Sequence, residues 1–516
     1  MLPRALAEPP VLSIRVLKFN ERALIAEVKD AARATWSEPL AQVRYLAAYL
    51  KDREAPARTM VVESPYVDRH YLQEYVGFYA TLVRPPPSTT TRIHFWSTSF
   101  DDDAWRGFLL RAADGALDVV QRELADAYLG YVVVRPVPAC PIGRTLLRCY
   151  EGRASRCYAP AHSLHDVHLN GFTFRVPGLP FQQQDQGLGA CATTALWSAL
   201  ARVMRADGGR AATPLDVARA VPGAHGQLIA SPEGLELDQM TRAIRALGYS
   251  THVIRPADDN DVFTLALKAC VRSGIPVVLR IRVQPSGEVH AVTVVGMRES
   301  DEDEGTRDLV IESREHRVRS TGLTRLYLHD DRLGPYARSV LLREPIPGAD
   351  ASREPPLRIA FRPHHKGFLE FLEPSYVETA IIPLYPKIRT TPEDLIAWCG
   401  DFVPAVLGVA GRRRDSVRVE PFFALGGEYL ANVGDVLRDS ERLAELRRTA
   451  LLSRYVGVLR FSLESDWFMD LVIDTTDVKR NRDDATPLLL ATGADASVVE
   501  NLRALRTLLR SDMLVV

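Results

Sequence analysis

Asp185-Gln186-Gly187-Leu188-Gly189-Ala190-Cys191-Ala192-Thr193-Thr194-Ala195-Leu196-Trp197 decides how this chain is read, together with Val289-His290-Ala291-Val292-Thr293-Val294-Val295-Gly296 further on. A glutamine and glycines lead into a cysteine, and apolar residues follow at 192, 195, 196, 199, 200, 203 and 204. That spacing predicts a helix over 190–206 with the cysteine at its start. A thiol there feels the positive end of the helix dipole, so its pKa falls and more of it is thiolate at neutral pH. Gly187 and Gly189 let the backbone turn tightly before it, and Ala192 and Ala195 let another layer pack close. His290 opens an apolar strand. An imidazole beside the thiolate takes the thiol proton and later returns one to the leaving group. Gln186 and the Cys191 backbone N–H are the candidate oxyanion donors; losing one such donor costs about 2.7–4 kcal/mol of transition-state stabilisation.

These residues resemble the papain-like cysteine peptidases. The matching positions are Asp185-Gln186-Gly187, Gly189-Ala190-Cys191, His290-Ala291-Val292 and Val295-Gly296. Gly234-Leu235-Glu236-Leu237-Asp238-Gln239 and Gly274-Ile275-Pro276-Val277-Val278 look more like the bacterial branch that processes bacteriocin leaders. The resemblance covers about 170 residues, a third of the chain. It implies Cys191 as nucleophile, His290 as base and Gln186 in the oxyanion hole. Gln186 stands five residues before the cysteine where the family has about six, so Gln184 is the fallback donor, and Ala192 replaces the usual aromatic. The family orients its imidazole with Asn or Asp on the strand after the histidine. Asp330, at a strand end before Gly334-Pro335, is preferred for its short side chain; Glu312, on what reads as the nearer strand, is the alternative.

Outward from this centre, 516 residues exceed what one core usually supports, and two to three domains are expected. Residues 1–175 read as an N-terminal α/β domain. Strands are expected at 59–62, 92–96 and 131–134, with helices over 67–82 and 101–127. Residues 176–345 read as the α+β papain-like unit, helices first (190–206, 237–247, 262–272) and strands after (276–281, 290–295). Pro, Gly, Ala and Ser over 344–357 suggest a linker. Residues 346–516 read as a C-terminal α/β domain with strands at 455–461 and 469–473 and an amphipathic helix at 498–509.

Lys+Arg is 64 and Asp+Glu 65, so no global charge draws the chain to nucleic acid or to an anionic membrane. No run of about 18 apolar residues predicts a membrane span, and the N-terminus carries no apolar signal segment. Six scattered cysteines without a C-x-x-C pair argue against a zinc ribbon or a disulfide framework and fit a reducing cytoplasm. His162, His165 and His168 read as a surface loop rather than a metal site. His364-His365, Arg412-Arg413-Arg414 and the acidic run 301–304 read as solvated loops or turns, and Tyr66, Tyr71, Tyr75 and Tyr79 as a packing stripe.

The expected function is thiol-dependent cleavage of a peptide or protein substrate, without metal or cofactor, in a bacterial cytoplasm. The flanks would select substrate, regulate access or receive a protein partner. Transamidation or deamidation by the same residues is one alternative. A catalytically idle fold serving as a binding or regulatory module is the other.

Overall fold

The computed structural model describes residues 12–54, 56–150, 152–184, 191–221, 235–256, 259–299, 309–312, 317–344, 355–361, 373–410, 417–435, 437, 439–463, 466–477, 487–492 and 514–515. The fold is mixed α+β, built on three larger sheets and a hairpin.

The first sheet is antiparallel throughout, in the order β1 (Ser13–Lys18), β2 (Thr59–Tyr66), β3 (Thr90–Trp96), β4 (Tyr128–Val134) and β5 (Ile142–Leu147). The strands alternate, so each side chain set faces its own layer. Met60, Val62, Ile93 and Phe95 pack with α1 (Glu21–Ala31) and α2 (Ala41–Lys51). α3 (Arg69–Gly77) follows β2 and is capped by Asp68, which accepts from the His70 and Tyr71 N–H groups. Val61 and Trp96 face the opposite way, into α4 (Asp102–Arg111) and α5 (Leu117–Asp126).

β6 (Arg156–Tyr158) precedes a hairpin, β7 (Leu164–Leu169) and β8 (Phe172–Pro177). His165 and His168 therefore lie on a strand, not in the loop expected from sequence. Asn170 and Gly171 both take positive φ, 49° and 87°, which is the two-residue turn that Asn-Gly favours. Val167, Leu169, Phe172, Phe174 and Val176 alternate inward on either side of it.

The middle of the chain runs α6 (Cys191–Ala206), α7 (Pro214–Ala220), α8 (Leu237–Ala246), β9 (Ser250–Ile254) and α9 (Asn260–Arg272), then strands. These are β10 (Val277–Val283), β11 (Val289–Glu299), β12 (Leu309–Glu312), β13 (Arg317–Ser320), β14 (Leu323–Asp330), β15 (Gly334–Arg343), β16 (Leu357–Phe361) and β17 (Ser375–Leu384). Strands β10-β11-β14-β15-β16-β17 form an antiparallel ring, because β17 pairs back onto β10. β9 extends β17, and β6 lies beside β11 from Gly296 onward, beyond the reach of β10.

The sheet that contains the ring spans both expected domain boundaries: β6 lies before 176, and β16 and β17 lie after 345. The stretch 344–357, expected as a linker, connects two antiparallel neighbours, β15 and β16; residues 345–354 lie outside the described residues. Pro- and Gly-rich composition marks a chain reversal as readily as a domain boundary.

The third sheet has the order β12-β13-β18-β19-β20-β21-β22, with β18 (Val417–Leu425), β19 (Tyr455–Leu463), β20 (Asp466–Asp474), β21 (Pro487–Thr492) and β22 (Leu514–Val515). α10 (Pro392–Ala410) packs against α9 and β18, while α11 (Gly426–Asn432) and α12 (Ser440–Thr449) follow β18. The helix expected at 498–509, His364-His365, Arg412-Arg413-Arg414 and the run 301–304 lie outside the described residues. One continuous cluster of buried apolar side chains reaches from Leu24 through Leu196 to Phe461, so the three sheets share a core. No helix among the described residues is long and apolar enough to cross a membrane.

Candidate active site

α6 is the helix expected from the 192–204 stripe. Ala192, Ala195, Leu196, Ala199, Leu200 and Val203 are buried, and each fully buried Leu or Val contributes about 1.5–3 kcal/mol. Its small residues let it lie close against β11, and Thr293 Oγ1 donates to the Ala195 carbonyl at 2.9 Å. One turn further on, Ser198 Oγ donates to the Pro180 carbonyl at 2.9 Å and lies 3.2 Å from His329 Nδ1 on β14. α6 is thus pinned to both strands that carry the ionisable groups described next. Cys191 is its first residue; the Cys191 side chain and Gln186 lie outside the described residues. Gln184 is half-buried.

His290 sits near the start of β11, paired with Ile281 of β10 and buried. Its Nε2 donates to Asp330 Oδ1 at 3.0 Å, and Asp331 Oδ1 lies 3.3 Å away. With Nε2 engaged, Nδ1 is the nitrogen left to exchange a proton with a reacting group. Asp330 ends β14 and is fully buried. It accepts from the Arg332 backbone N–H at 2.9 Å, and from Arg332 Nε at 3.1 Å and Nη2 at 2.8 Å.

The electrostatics follow from burial and neighbours. Burial works against charging His290, but the Asp330 and Asp331 carboxylates outweigh it and raise the ring to about 10. Burial alone would raise Asp330; Arg332 and His290 hold it well below the usual carboxylate range. Asp331, without that fork, is pushed up to about 6 by burial, with Asp330 adding to the shift. The acid turn therefore keeps the imidazole charged at neutral pH.

The ligand atoms of His290, Asp330 and Asp331 lie within 4.8 Å of one another, close enough to gather round a cation. The Arg332 guanidinium already spans both oxygens of Asp330 and supplies the positive charge, so the set suits holding a ring better than holding a metal. Glu312, the alternative to Asp330, ends β12 in the third sheet; it is β14, not β12, that borders β11.

A cavity of about 10 Å³ ties the pieces together: Thr194 and Ala195 of the first turns of α6 line it with Ala291, Thr293 and Asp331. The helix that Cys191 begins thus meets the residue after His290 and the carboxylate beside it.

Both segments leading into this site are held by the first sheet and its helices. Phe181 pairs with Thr145, and the Gln183 N–H donates to the Ile142 carbonyl at 2.9 Å. Arg135, fully buried, donates to the Gln183 carbonyl at 2.9 Å and pairs with Glu74 at 3.3 Å; Glu74 also accepts from Gln182 Nε2 at 2.6 Å. On the other side Gln42 Nε2 donates to the Asp331 carbonyl at 3.0 Å and Tyr45 Oη to the Pro335 carbonyl at 2.9 Å. A Cβ at Gly334 would run into the Tyr45 ring, so only glycine fits there.

Sequence reasoning missed Arg332, Asp331, Arg135 and Glu74. The Arg332 signal was legible, since an Asp followed two residues on by a donor is a local turn pattern. The Glu74–Arg135 pair had none, because charged residues are buried only when paired and the pairing here is distant in sequence. No protein-family model matches the chain, and no curated protein does.

Proposed function

We propose that the protein is a thiol-dependent acyl-transfer enzyme with a papain-like catalytic unit, and that its reaction is hydrolysis of an amide in a peptide or protein. What supports this most is the His290–Asp330 pair, whose chain neighbours Ala291 and Asp331 line one small cavity with Thr194 and Ala195 of the helix that Cys191 begins. The packing of α6 against β11 of the antiparallel ring adds support to this reading.

In this reading the imidazolium and the thiolate form the resting pair. The Cys191 sulfur attacks the carbonyl carbon, and the oxyanion takes N–H donors from Gln186 and the Cys191 backbone. The C–N bond breaks as His290 gives its proton to the departing amine. The ring, now neutral, takes a proton from water as the hydroxide attacks the thioester; the acid leaves, and thiolate and imidazolium are restored. Asp330 fixes the ring through Nε2 and stabilises its charge, and Arg332 fixes Asp330.

The test is alkylation by iodoacetamide near pH 6, with the modified cysteine identified by mass spectrometry. A thiol of ordinary pKa near 8.5 is scarcely ionised there, whereas one paired with an imidazolium is. Cys191 is expected to react, and His290→Ala to slow it by about tenfold or more. Cys140 and Cys399 are buried and serve as slow internal references. Equal rates in the two chains overturn the proposal.

A further inference from the structure

A cavity of about 340 Å³ opens where the first sheet and α3 meet the second half of α6. Its size is that of a small-molecule site. Four arginines line it: Arg69 from α3, Arg144 from β5, Arg205 from α6, and Arg210 from the segment after α6. Two carboxylates lie near them. Asp68 pairs with Arg144 at 2.7 Å while its other oxygen caps α3, and Asp216 is occupied by the Thr213 cap of α7. Among the described residues Arg69 and Arg210 have no ion-pair partner, and Arg205 donates to a neutral carbonyl, that of Leu164, at 3.2 Å.

Both histidines of the cavity, His70 and His165, are neutral at pH 7: burial pushes each to about 4, and the neighbouring arginines add to it. His165 Nε2 is bound to the Gly178 carbonyl at 3.1 Å. His70 Nδ1 is buried with no partner. A third carboxylate, Asp166, also acts on His165 but is paired with Arg175 at 3.3 Å, so four arginines against two carboxylates leave the site with an excess of two positive charges. Burial and Arg210 already depress Arg69, so the cluster is held together against repulsion that an anion would relieve.

One wall is aromatic and apolar, formed by Trp197, Tyr131 and Pro180. Guanidinium forks match the oxygens of a phosphoryl group, and a flat apolar wall receives an organic body beside it. We infer that this pocket is a binding site for a small organic phosphate, a phosphate ester with a compact planar body. The enclosure favours a small ligand over a polymer backbone, which needs an open track.

Isothermal titration of the full chain tests this, using adenosine monophosphate, inorganic pyrophosphate and adenosine at constant ionic strength. The two phosphates are expected to saturate one site per chain, and adenosine to give no saturable heat. Arg69→Ala with Arg210→Ala, both at exposed positions, is expected to weaken phosphate binding by about tenfold or more with the melting temperature unchanged. Absence of saturable heat with either phosphate, or a double variant that binds like the parent chain, overturns the inference. So does a single-stranded oligonucleotide that binds tighter than both phosphates. Repeating the titration with Cys191→Ala separates this outcome from that of the acyl-transfer proposal, since no reactive thiol is needed for the pocket to fill.

Discussion

The two flanks of the strand ring are attached to it in different ways. The N-terminal flank grips the candidate site itself. Arg135 and Glu74 hold residues 182–183, just before the segment that leads to Cys191, and Gln42 and Tyr45 hold the turn after Asp330. The C-terminal flank grips the back of α9. Lys268, fully buried, donates to Ser320 at 2.9 Å and pairs with Glu420 at 2.9 Å, and the Phe423 N–H donates to Ser273 Oγ at 2.7 Å. Both attachments are buried ion networks of similar make. One bears on the candidate site and the other on the scaffold behind α9, so equal losses of stability are expected to have unequal effects on Cys191 alkylation.

The largest effects come from cutting each network. Glu74→Ala strands the buried Arg135, at a cost of about 3–5 kcal/mol, and Glu420→Ala leaves Lys268 with Glu299, 3.5 Å away, at a smaller cost; both are read from urea unfolding. In the fraction that remains folded, Glu74→Ala is expected to slow Cys191 alkylation and Glu420→Ala to leave it unchanged. Equal slowing in both breaks the contrast.

Alkali acts next, on the site side. His290 has a folded pKa raised from 6.5 to about 10, so its pairing with Asp330 and Asp331 stabilises fully below about 6.5 and is lost as pH rises through about 10. Unfolding free energy measured at neutral pH and again above about pH 10 is expected to fall more in the parent chain than in His290→Gln. A parallel fall in the two would show that the ring is not held charged.

Gly334→Ala forces a methyl group into the Tyr45 ring and is expected to cost about 1–3 kcal/mol, with part recovered when Tyr45→Ala is added. Simple additivity would mean that the flank does not press on the acid turn. Thr293→Val removes the bond from β11 to α6, for about 0.5–1.5 kcal/mol. Smallest is Arg454→Ala, which opens a partly exposed pair between the C-terminal flank and Asp207, for about 0.2–1 kcal/mol and no change in alkylation.

What could be seen from sequence divides along the same physical line. α6 was legible because Ala192, Leu196, Ala199 and Val203 recur at helical spacing within one element. The helices and strands of 59–134 were legible for the same reason. β17 was not, since nothing in Ser375–Leu384 names β9, β10 and β16 as its neighbours. Its pairing with β10 closes a loop of about a hundred residues, and only three-dimensional packing selects it. The stretch 344–357, expected as a linker, joins β15 to β16 of one sheet, a pairing its composition does not announce. Asp330 is preferred over Glu312 on its short side chain and strand-end position, whereas the adjacency of β14, rather than β12, to β11 lies in the fold alone. The stretch around His165 and His168 reads as a loop, yet Asn170-Gly171 is a turn signal and the alternation on either side of it marks a hairpin.

The ring bears on the time course of synthesis. β10 starts at Val277, about a hundred residues before the strand that closes the ring against it ends at Leu384. A chain emerging from the ribosome cannot complete the ring until that residue is clear of the exit tunnel, and contacts of such long reach form late. A nascent chain thus carries an unclosed scaffold through most of its translation. Whatever the imidazole and its carboxylates accomplish in the mature protein is deferred until the strands on either side of them have been delivered.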